Sequence, residues 1–248
     1  MDLTVTTLAD RPELRDALWQ MPETWPQFVL HDPVGWANMG RILAELPEYV
    51  LVATDSEGRV AARAFSVPFR LDADGRRSLP DGGWDQVMLW AFSDLRHGRV
   101  PDTVSAIEIT VADGRQGKGI SGRMLAAMRD NVRRLGFTDL VAPVRPSRKS
   151  EEPRTLIEEY AHRTRPDDGL PYDPWLRVHV RAGGVIDSVA PASMTVSGSL
   201  AQWRTWTGLP FDTTGPVEVP GALVPVHCES DRGYAVYVEP NVWVRHSV

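Results

Sequence analysis

The chain has 248 residues, 42% of them hydrophobic and 24% charged, which is typical of a soluble globular protein with one large domain or a domain and an appendage. A formal net charge of −6 gives no general attraction to nucleic acid or to an anionic membrane, so we expect neither DNA nor a membrane as a partner. Cys228 is the single cysteine, which excludes an intramolecular disulfide and makes a reducing cytoplasm the expected location. Residues 1–10 carry neither a basic leader nor an apolar core, and no stretch approaches the roughly 20 apolar residues that span a bilayer.

Apolar periodicity divides the first hundred residues into short strands and amphipathic helices. The predicted elements are a strand at residues 3–6, helices at 12–19 and 34–45, strands at 49–54 and 60–69, and a helix at 84–95. Asp55-Ser56-Glu57-Gly58 separates the second and third strands with residues that favour a tight turn. We therefore expect these two strands to pair as an antiparallel hairpin.

The rest of the chain begins with the clearest pattern and ends in a β-rich segment. The predicted elements are a strand at residues 104–111, a helix at 120–135, a strand at 140–144, a helix at 153–162 within a charged insertion, a helix at 174–182, strands at 185–189 and 193–199, a helix at 200–207, and strands at 217–226 and 234–238. Ser199 suits the N-cap of the helix at 200–207, and Gly208 suits the position after its C-cap. Residues 242–244 would form an apolar sheet edge at which a second subunit pairs, so a homodimer is a further prediction.

The strongest functional signal is a glycine-rich loop between the strand at 104–111 and the helix at 120–135. Gly117, Gly119 and Gly122 allow the backbone to turn tightly and to approach a ligand closely. The following helix directs unpaired N–H groups and a partial positive charge at the loop, and Lys118 adds a full charge. The sequence therefore predicts an anion-binding site.

Three interpretations of this loop compete. Residues 117–122 satisfy the G-x-G-x-x-G pattern of dinucleotide-binding proteins, but the site comes late in the chain and no βα alternation follows it. A Walker A loop is excluded outright, because Ile120 and Ser121 stand where Lys and Ser or Thr should follow Gly119. The second interpretation is a glycine-rich loop without a ligand, and the third is a family resemblance.

The segment Val111-Ala-Asp-Gly-Arg-Gln-Gly-Lys-Gly-Ile-Ser resembles the motif of the GNAT superfamily of N-acetyltransferases, in which a strand is followed by R/Q-x-x-G-x-G/A and an amphipathic helix. Gln116, Gly119 and Ser121 occupy the three marked positions, with Ser121 as a small substitute for Gly or Ala. The order of the predicted elements is also similar to that of the family over about residues 3–189. The resemblance implies an α/β fold of the mixed α+β kind: a central mixed sheet flanked by helices as an acyl-CoA-binding domain at residues 1–190, with a β-rich C-terminal extension at 191–248 packed on the same domain.

The resemblance also implies a donor and a donor site. The expected co-substrate is an acyl-CoA, with acetyl-CoA as the leading candidate, and the expected activity is N-acylation of a small-molecule amine that the sequence does not identify. In the family, backbone N–H groups of the loop hold the coenzyme A pyrophosphate, which implies a site formed by Gln116, Gly117, Lys118, Gly119, Ile120, Ser121 and Gly122. The pantetheine arm pairs with the preceding strand, which implies contacts with Ile109, Thr110 and Val111.

Amide formation needs a base for the amine and benefits from an acid near the departing thiolate. The family often places a tyrosine four residues before a glycine at the end of the next helix, but counting back from Gly183 gives His179. His179 is therefore a candidate acid or base, with a structural histidine as the alternative. Glu108 is a candidate general base, since some relatives use a strand carboxylate, and its alternative is a solvated or salt-bridged glutamate. The other histidines show no metal-like spacing, so no metal is predicted.

The sequence is also compatible with other functions. The long insertion at residues 146–174 motivates an acyltransferase whose donor is a carrier protein or an aminoacyl-tRNA, and the absent tyrosine motivates a non-catalytic acyl-CoA-binding module. The G-x-G-x-x-G pattern motivates a nicotinamide-dependent oxidoreductase. The basic run at residues 145–154 is consistent with phosphate binding, although neighbouring glutamates favour a solvated charged face. The tryptophans, Trp84 among them, are expected to be core or interface anchors.

Overall fold

The computed structural model describes residues 3–248, so Met1 and Asp2, the start of the predicted first domain, lie outside the described residues. The first half of the chain forms β1 (Thr4–Thr7), α1 (Arg15–Trp19), α2 (Pro33–Glu45), β2 (Val50–Thr54), β3 (Val60–Phe69), α3 (Gly83–Arg96), β4 (Thr103–Val111), α4 (Ile120–Arg134) and β5 (Asp139–Val144). The second half forms α5 (Ile157–Ala161), α6 (Pro174–Arg181), β6 (Val185–Ser199), α7 (Leu200–Thr207), β7 (Gly215–Val217), β8 (Val226–Glu229) and β9 (Tyr234–Ser247). Short 3₁₀ turns lie at Pro12–Leu14, Gln27–His31, Pro47–Tyr49, Lys149–Glu151 and Ser230–Arg232.

Some predicted elements differ from those in the structure. The helix predicted at residues 12–19 begins as a 3₁₀ turn and becomes α-helical only at Arg15, and the helix predicted at 153–162 is only the short α5. The strands predicted at 185–189 and 193–199 form one strand, β6, which stays paired with β9 across an irregular register. The strand predicted at 217–226 is wrong, because Pro220 and Gly221, whose φ is +85°, lie in a loop between β7 and β8.

One mixed sheet carries the fold, in the order β1-β2-β3-β4-β5-β9-β8-β7, and β6 also pairs with β9. The predicted hairpin of β2 and β3 is antiparallel, whereas β4 and β5 run parallel. On one face α4 packs with α6, and on the other α2 packs with α3. The predicted mixed α+β fold with a helix-flanked mixed sheet is therefore confirmed. None of the helices within residues 3–248 is both long and apolar enough to cross a membrane.

Strand β9 joins the C-terminal segment to the rest of the sheet. Its second half pairs with β5 on one side and with the first half of β6 on the other. Val242, Trp243 and Val244 are fully buried. The apolar sheet edge predicted at residues 242–244 is therefore wrong, because these residues are already paired on both sides and cannot receive a second subunit. The homodimer itself stays a prediction, as does the domain division at residue 190.

A second apolar cluster ties the C-terminal segment to the N-terminal third of the chain. The ring of Phe28 lies 5.8 Å from that of Trp203 on α7 and 5.2 Å from that of Tyr237 on β9, measured between centroids. Aromatic pairs in these tilted and edge-on arrangements add stability beyond their buried area. The 3₁₀ turn around Phe28 is thereby held against α7 and β9, next to the start of α2.

Strands β4 and β5 separate after a short parallel contact. Their ladder ends at the pair Ser105↔Val141, although β4 continues well beyond it. A bulge at Ile107 lies close to the point of separation, because adjacent residues of β3 pair with Ala106 and Glu108. The bulge interrupts the alternation of faces that a regular strand would have. The sheet therefore opens between the second half of β4 and the end of β5.

Candidate active site

The opening beside β4 exposes backbone hydrogen-bonding groups. The N–H of Ala112 donates to the carbonyl oxygen of Ala61 on β3 at 3.0 Å. Because the direction of hydrogen bonding alternates along an antiparallel strand, the N–H and C=O groups of Ile109 and Val111 point away from β3 and into the opening. By the same alternation Thr110 bonds to β3, and its side chain is buried. An extended ligand arm can therefore pair with Ile109 and Val111.

The loop after β4 leaves the first N–H groups of α4 free. Gly117 and Gly119 have φ angles of 73° and 72°, and a Cβ atom at either position would meet nothing within 4 Å. Within residues 3–248, the N–H groups of Gly119, Ile120, Ser121 and Gly122 have no backbone or side-chain acceptor. Together with the dipole of the 15-residue helix α4, these donors suit an anion such as a diphosphate.

The side chains of the loop differ in what they can offer a ligand. Gln116 and Lys118 are exposed, and Nζ of Lys118 donates to a loop carbonyl at 3.0 Å. The side chain of Ile120 is buried in the core, so only its N–H can reach a ligand. Gly122 faces α6, where an added Cβ would lie 3.9 Å from Cγ1 of Val178. Gln116 and Lys118 thus lie exposed beside a row of amides, and α6 is the neighbouring element.

An ion pair that the sequence did not reveal fixes this loop to the hairpin turn of β2 and β3. Nη2 of Arg115 lies 2.5 Å from Oδ2 of Asp55. The hydrogen bond from Arg115 holds the pKa of Asp55 well below its usual range, so the carboxylate stays ionised. The two residues are 60 positions apart, and no local pattern signals such a pairing.

Glu108 lies in the interior, against the guanidinium of Arg63. Nε of Arg63 donates to Oε1 of Glu108 at 2.6 Å, and Nη2 donates to Oε1 of Glu23 at 2.6 Å. A further bond from Nη1 reaches the carbonyl of Leu18 in α1 at 3.2 Å. Burial raises the pKa of Glu108, and the charge and hydrogen bond of Arg63 oppose that rise. The glutamate is therefore salt-bridged and not solvated, and it sits directly beside the bulge of β4.

Trp84, expected to be a core or interface anchor, connects the bulge of β4 to the start of α3. Its indole Nε1 donates to the carbonyl of Ile107 at 2.9 Å, and its backbone N–H donates to Oγ of Ser193 on β6 at 2.9 Å. Gly83, at a φ of 41°, allows this close approach, since a Cβ atom there would lie 2.1 Å from Oγ of Ser193. The first turn of α3 is thus positioned by both β4 and β6.

His179 lies in a buried pair with His246. Nδ1 of His179 and Nε2 of His246 are 3.0 Å apart, and the ring of Trp175 packs edge-on against His179 with centroids separated by 4.7 Å. Burial lowers the pKa of His179 to about 3 and that of His246 to about 4, so both rings are neutral near pH 7. This environment favours the structural alternative, and a proton-transfer role for His179 stays a prediction.

The basic run at residues 145–154 is engaged by protein groups. Arg145 donates to Glu239 at 2.9 Å, and Arg148 pairs with Glu151 at 2.6 Å. Lys149 is fully buried and donates to two backbone carbonyls at 2.7 and 2.8 Å. Part of this run is therefore interior, which differs from the expected solvated face, and its cations already have partners.

Comparison with known proteins gives one relative in sequence and several in fold, although no family model matches the chain. An arginine N-acetyltransferase of Aspergillus versicolor, avaD, is 35% identical over 275 residues, covering 99% of this chain and 94% of that protein. The loading GNATL domain of CurA from Lyngbya majuscula has a TM-score of 0.61 at 16% identity, with 99% of this chain and 96% of that chain covered. The GphF GNAT-like decarboxylase, solved in complex with isobutyryl-CoA, has a TM-score of 0.54 at 15% identity, with 100% and 99% covered.

The chain belongs to the GNAT superfamily of N-acetyltransferases. It is an acyl-CoA-dependent N-acyltransferase that acts on an amine. The resemblance inferred from the loop motif is therefore confirmed, and the oxidoreductase and the non-catalytic module are set aside.

Proposed function

We propose that this enzyme transfers an acetyl group from acetyl-CoA to arginine or a closely related amine that carries a guanidinium group. The relative with 35% identity over almost the whole chain is named as an arginine N-acetyltransferase, which supports this acceptor. The proposed acetyl-CoA site is supported above all by the opening of the sheet beside β4. This opening lies directly before a loop whose amides are free.

The donor site follows from the direction of these backbone groups. The pantetheine arm would pair with Ile109 and Val111, whereas Thr110 is turned towards β3 and contributes to the strand only. The pyrophosphate would lie on the amides at residues 119–122, with Gln116, Gly117 and Lys118 at its edge. Gly117 and Gly119 fit this role because the space beside each is open.

The chemistry requires a neutral amine beside an activated carbonyl. Bound acyl-CoA supplies that carbonyl as a thioester. The α-amino group of arginine loses its proton at a far lower pH than its guanidinium, which stays charged, so we assign the α-amine as the nucleophile. Glu108 accepts the proton from this amine, directly or through one water, and its raised pKa suits a general base. As the C–N bond forms, the C–S bond of the thioester breaks, and coenzyme A leaves as a thiolate that takes up a proton.

Composition and charge support a location and a set of partners for the enzyme. The single cysteine supports the cytoplasm as its location. The net charge of −6 supports a function without DNA or an anionic membrane. A homodimer remains part of the prediction, and native mass spectrometry gives the subunit count directly.

Acetyl transfer by the purified chain tests the proposal. Acetyl-CoA is offered with arginine, lysine, agmatine and an aromatic amine, while thiol release and product mass are followed. We expect acetylated arginine, with fragmentation placing the acetyl group on the α-nitrogen. Failure to bind acetyl-CoA at millimolar concentration, together with turnover on an acylated carrier protein, would instead favour a carrier-bound donor.

A further inference from the structure

Two carboxylates at the starts of neighbouring helices each have one buried oxygen without a hydrogen-bond partner. Asp32 is the N-cap of α2: its Oδ2 accepts from the N–H of Gly35 at 2.5 Å, and the residue is only 2% exposed. Asp85 lies in the first turn of α3, and its Oδ2 accepts from the N–H of Thr195 at 3.1 Å. Oδ1 of each is buried and has no hydrogen-bond partner within residues 3–248. Capping of α2 explains Oδ2 of Asp32, and the bond from β6 explains Oδ2 of Asp85, but neither explains the buried Oδ1 atoms.

The two helix starts meet at Trp84, which reaches from the carboxylates to the proposed catalytic base. A Cβ atom on Gly35 would lie 3.1 Å from Oδ2 of Asp32 and 3.1 Å from Cη2 of Trp84. The opposite edge of the same indole donates to the carbonyl of Ile107, next to Glu108. One indole ring thus separates Asp32 from the bulge of β4.

The charges around the pair give it a negative character. Glu239 of β9 is close enough to affect both carboxyls, but it is itself neutralised by Arg145 at 2.9 Å. No cation of residues 3–248 forms an ion pair with Asp32 or Asp85. Burial raises the pKa of Asp85 to about 8, with further contributions from Asp32 and Glu239, and burial raises the pKa of Asp32 to about 6. Both effects are those of carboxylates that lack a positive partner.

We propose that Asp32 and Asp85 bind the guanidinium group of the acceptor, so that its α-amine is held towards Glu108. This inference rests on the proposed function. It names the specificity-determining residues of that site.

A guanidinium fits these oxygens better than other cations. Its planar fork of N–H groups can donate to two carboxylates at once, and it is more weakly hydrated than an ammonium, so it enters a buried site more readily. A metal ion is less suited, since no group of three or more metal-ligating side chains occurs within residues 3–248. Oδ2 of Asp85 lies close to the surface, so Asp32 and Asp85 are at the edge of the core and not at its centre.

The test compares arginine with citrulline, a neutral molecule of nearly the same shape, on the wild type and on D85N, D32N and D74N. Asp74 is an exposed residue of the loop before α3, so D74N removes a charge without touching the pair. We expect the wild type to prefer arginine over citrulline by ~30-fold or more in kcat/KM, since a buried charged partner is lost with citrulline. D85N should abolish most of that preference by lowering kcat/KM for arginine far more than for citrulline, and D74N should behave as the wild type.

Calorimetry in buffers of different ionisation enthalpy adds a readout that a purely structural role would not move. Arginine binding should release a proton from Asp85 in the wild type near pH 7, and this release should vanish in D85N. Because Asp32 caps α2, D32N is interpreted only alongside its melting temperature, and D85N carries the test if D32N unfolds.

The outcomes separate this inference from the proposed function. An unchanged preference for arginine over citrulline in D85N overturns the carboxylate site while acetylation of arginine stands. A preference for another cationic amine that D85N abolishes supports the site and overturns arginine as the acceptor. Absence of any preference for cationic amines in the wild type overturns both.

Discussion

The guanidinium of Arg63 on β3 donates to the carboxylate of Glu108 on β4 at 2.6 Å, and both side chains are buried. A buried pair of this kind is held by mutual attraction that offsets a large cost of removing both charges from water. Glu23, whose side chain is partly exposed, also pairs with this guanidinium. The arrangement therefore keeps an ionisable carboxylate beside the bulge of β4 without leaving it unpaired.

Replacing Glu108 by glutamine should lower kcat by about 10²- to 10⁴-fold, because glutamine keeps the size of the side chain but cannot accept a proton from the amine. The KM for acetyl-CoA should be unchanged, since the donor contacts lie elsewhere. Glu23→Gln is the matched control, because it alters the other partner of Arg63 and should have little effect on kcat. Equal losses in both variants would show that the salt bridge matters and that Glu108 is not the base. Steady-state kinetics of both variants over pH 6 to 9 distinguish a general base from a purely structural salt bridge.

Replacing Arg63 by methionine should destabilise the protein by about 3–5 kcal/mol, because Glu108 is then buried without a cation. The loss should grow as the pH rises. Arg63 opposes the rise that burial causes in the pKa of Glu108, so its removal raises the folded-state pKa further. The folded variant then holds a proton that the unfolded chain has already released, and its stability falls relative to the wild type as the pH rises. Urea unfolding at pH 5 and pH 8 measures the difference. A loss of the same size at both pH values would contradict this account.

Replacing Gly119 by alanine should weaken acetyl-CoA binding. A residue with a side chain adopts the φ of 72° found here at a cost of about 1–2 kcal/mol, so relief of that strain would turn the free amides of α4 away from the donor. Gly98 has a φ of 63° and equally open space, yet it follows α3 far from the loop, so G98A is the control for strain alone. Calorimetric titration with coenzyme A should show a loss in G119A only. Similar affinity in both variants would argue against a diphosphate at these amides.

Replacing Trp84 by phenylalanine should lower kcat, because the carbonyl of Ile107 loses its indole donor and the bulge beside Glu108 is released. An unsatisfied buried carbonyl costs about 1–3 kcal/mol. Trp90 on the same helix packs its ring on Phe69 with centroids 6.0 Å apart, so W90F removes comparable ring area without touching the bulge. Comparing kcat and melting temperature for the two variants separates the local effect from lost packing. A parallel fall of kcat in W90F would contradict the role of the Trp84 bond.

The pair of His179 and His246 should make the protein sensitive to acid. Both folded-state pKa values, about 3 and about 4, lie below the ordinary value near 6.5, so the unfolded chain binds more protons and stability falls as the pH drops below about 6. Two such groups give a slope of at most about 2.7 kcal/mol per pH unit between pH 6 and 4. Asp32 and Asp85 titrate with the opposite sign, so the slope of H179Q is compared with that of the wild type. An unchanged slope in H179Q would show that the ring is already charged or exposed.

Local chemistry allowed the sequence to predict much of the fold. The helix at Leu200–Thr207 starts at Ser199, which forms a reciprocal capping box with Gln202, and ends before Gly208 at a φ of 72°. The turn at residues 55–58 and the glycines before α4 are likewise where their residue types predict. In each case the deciding interactions join residues only a few positions apart, which sequence patterns record directly.

Interactions between distant parts of the chain were decided only by the tertiary structure. The spacing around Gly183 drew attention to His179, but its partner His246 lies 67 residues away and turns it into a buried neutral group. Strand β9 looked like a free edge because its neighbours β5 and β6 come much earlier in the chain. The sequence alone determined the local elements and the glycine loop, since propensity and capping act over one or two turns. Long-range packing decided the gap beside β4, the partner of Glu108 and the carboxylate oxygens without a hydrogen-bond partner. Sequence periodicity does not record contacts between residues so far apart in the chain.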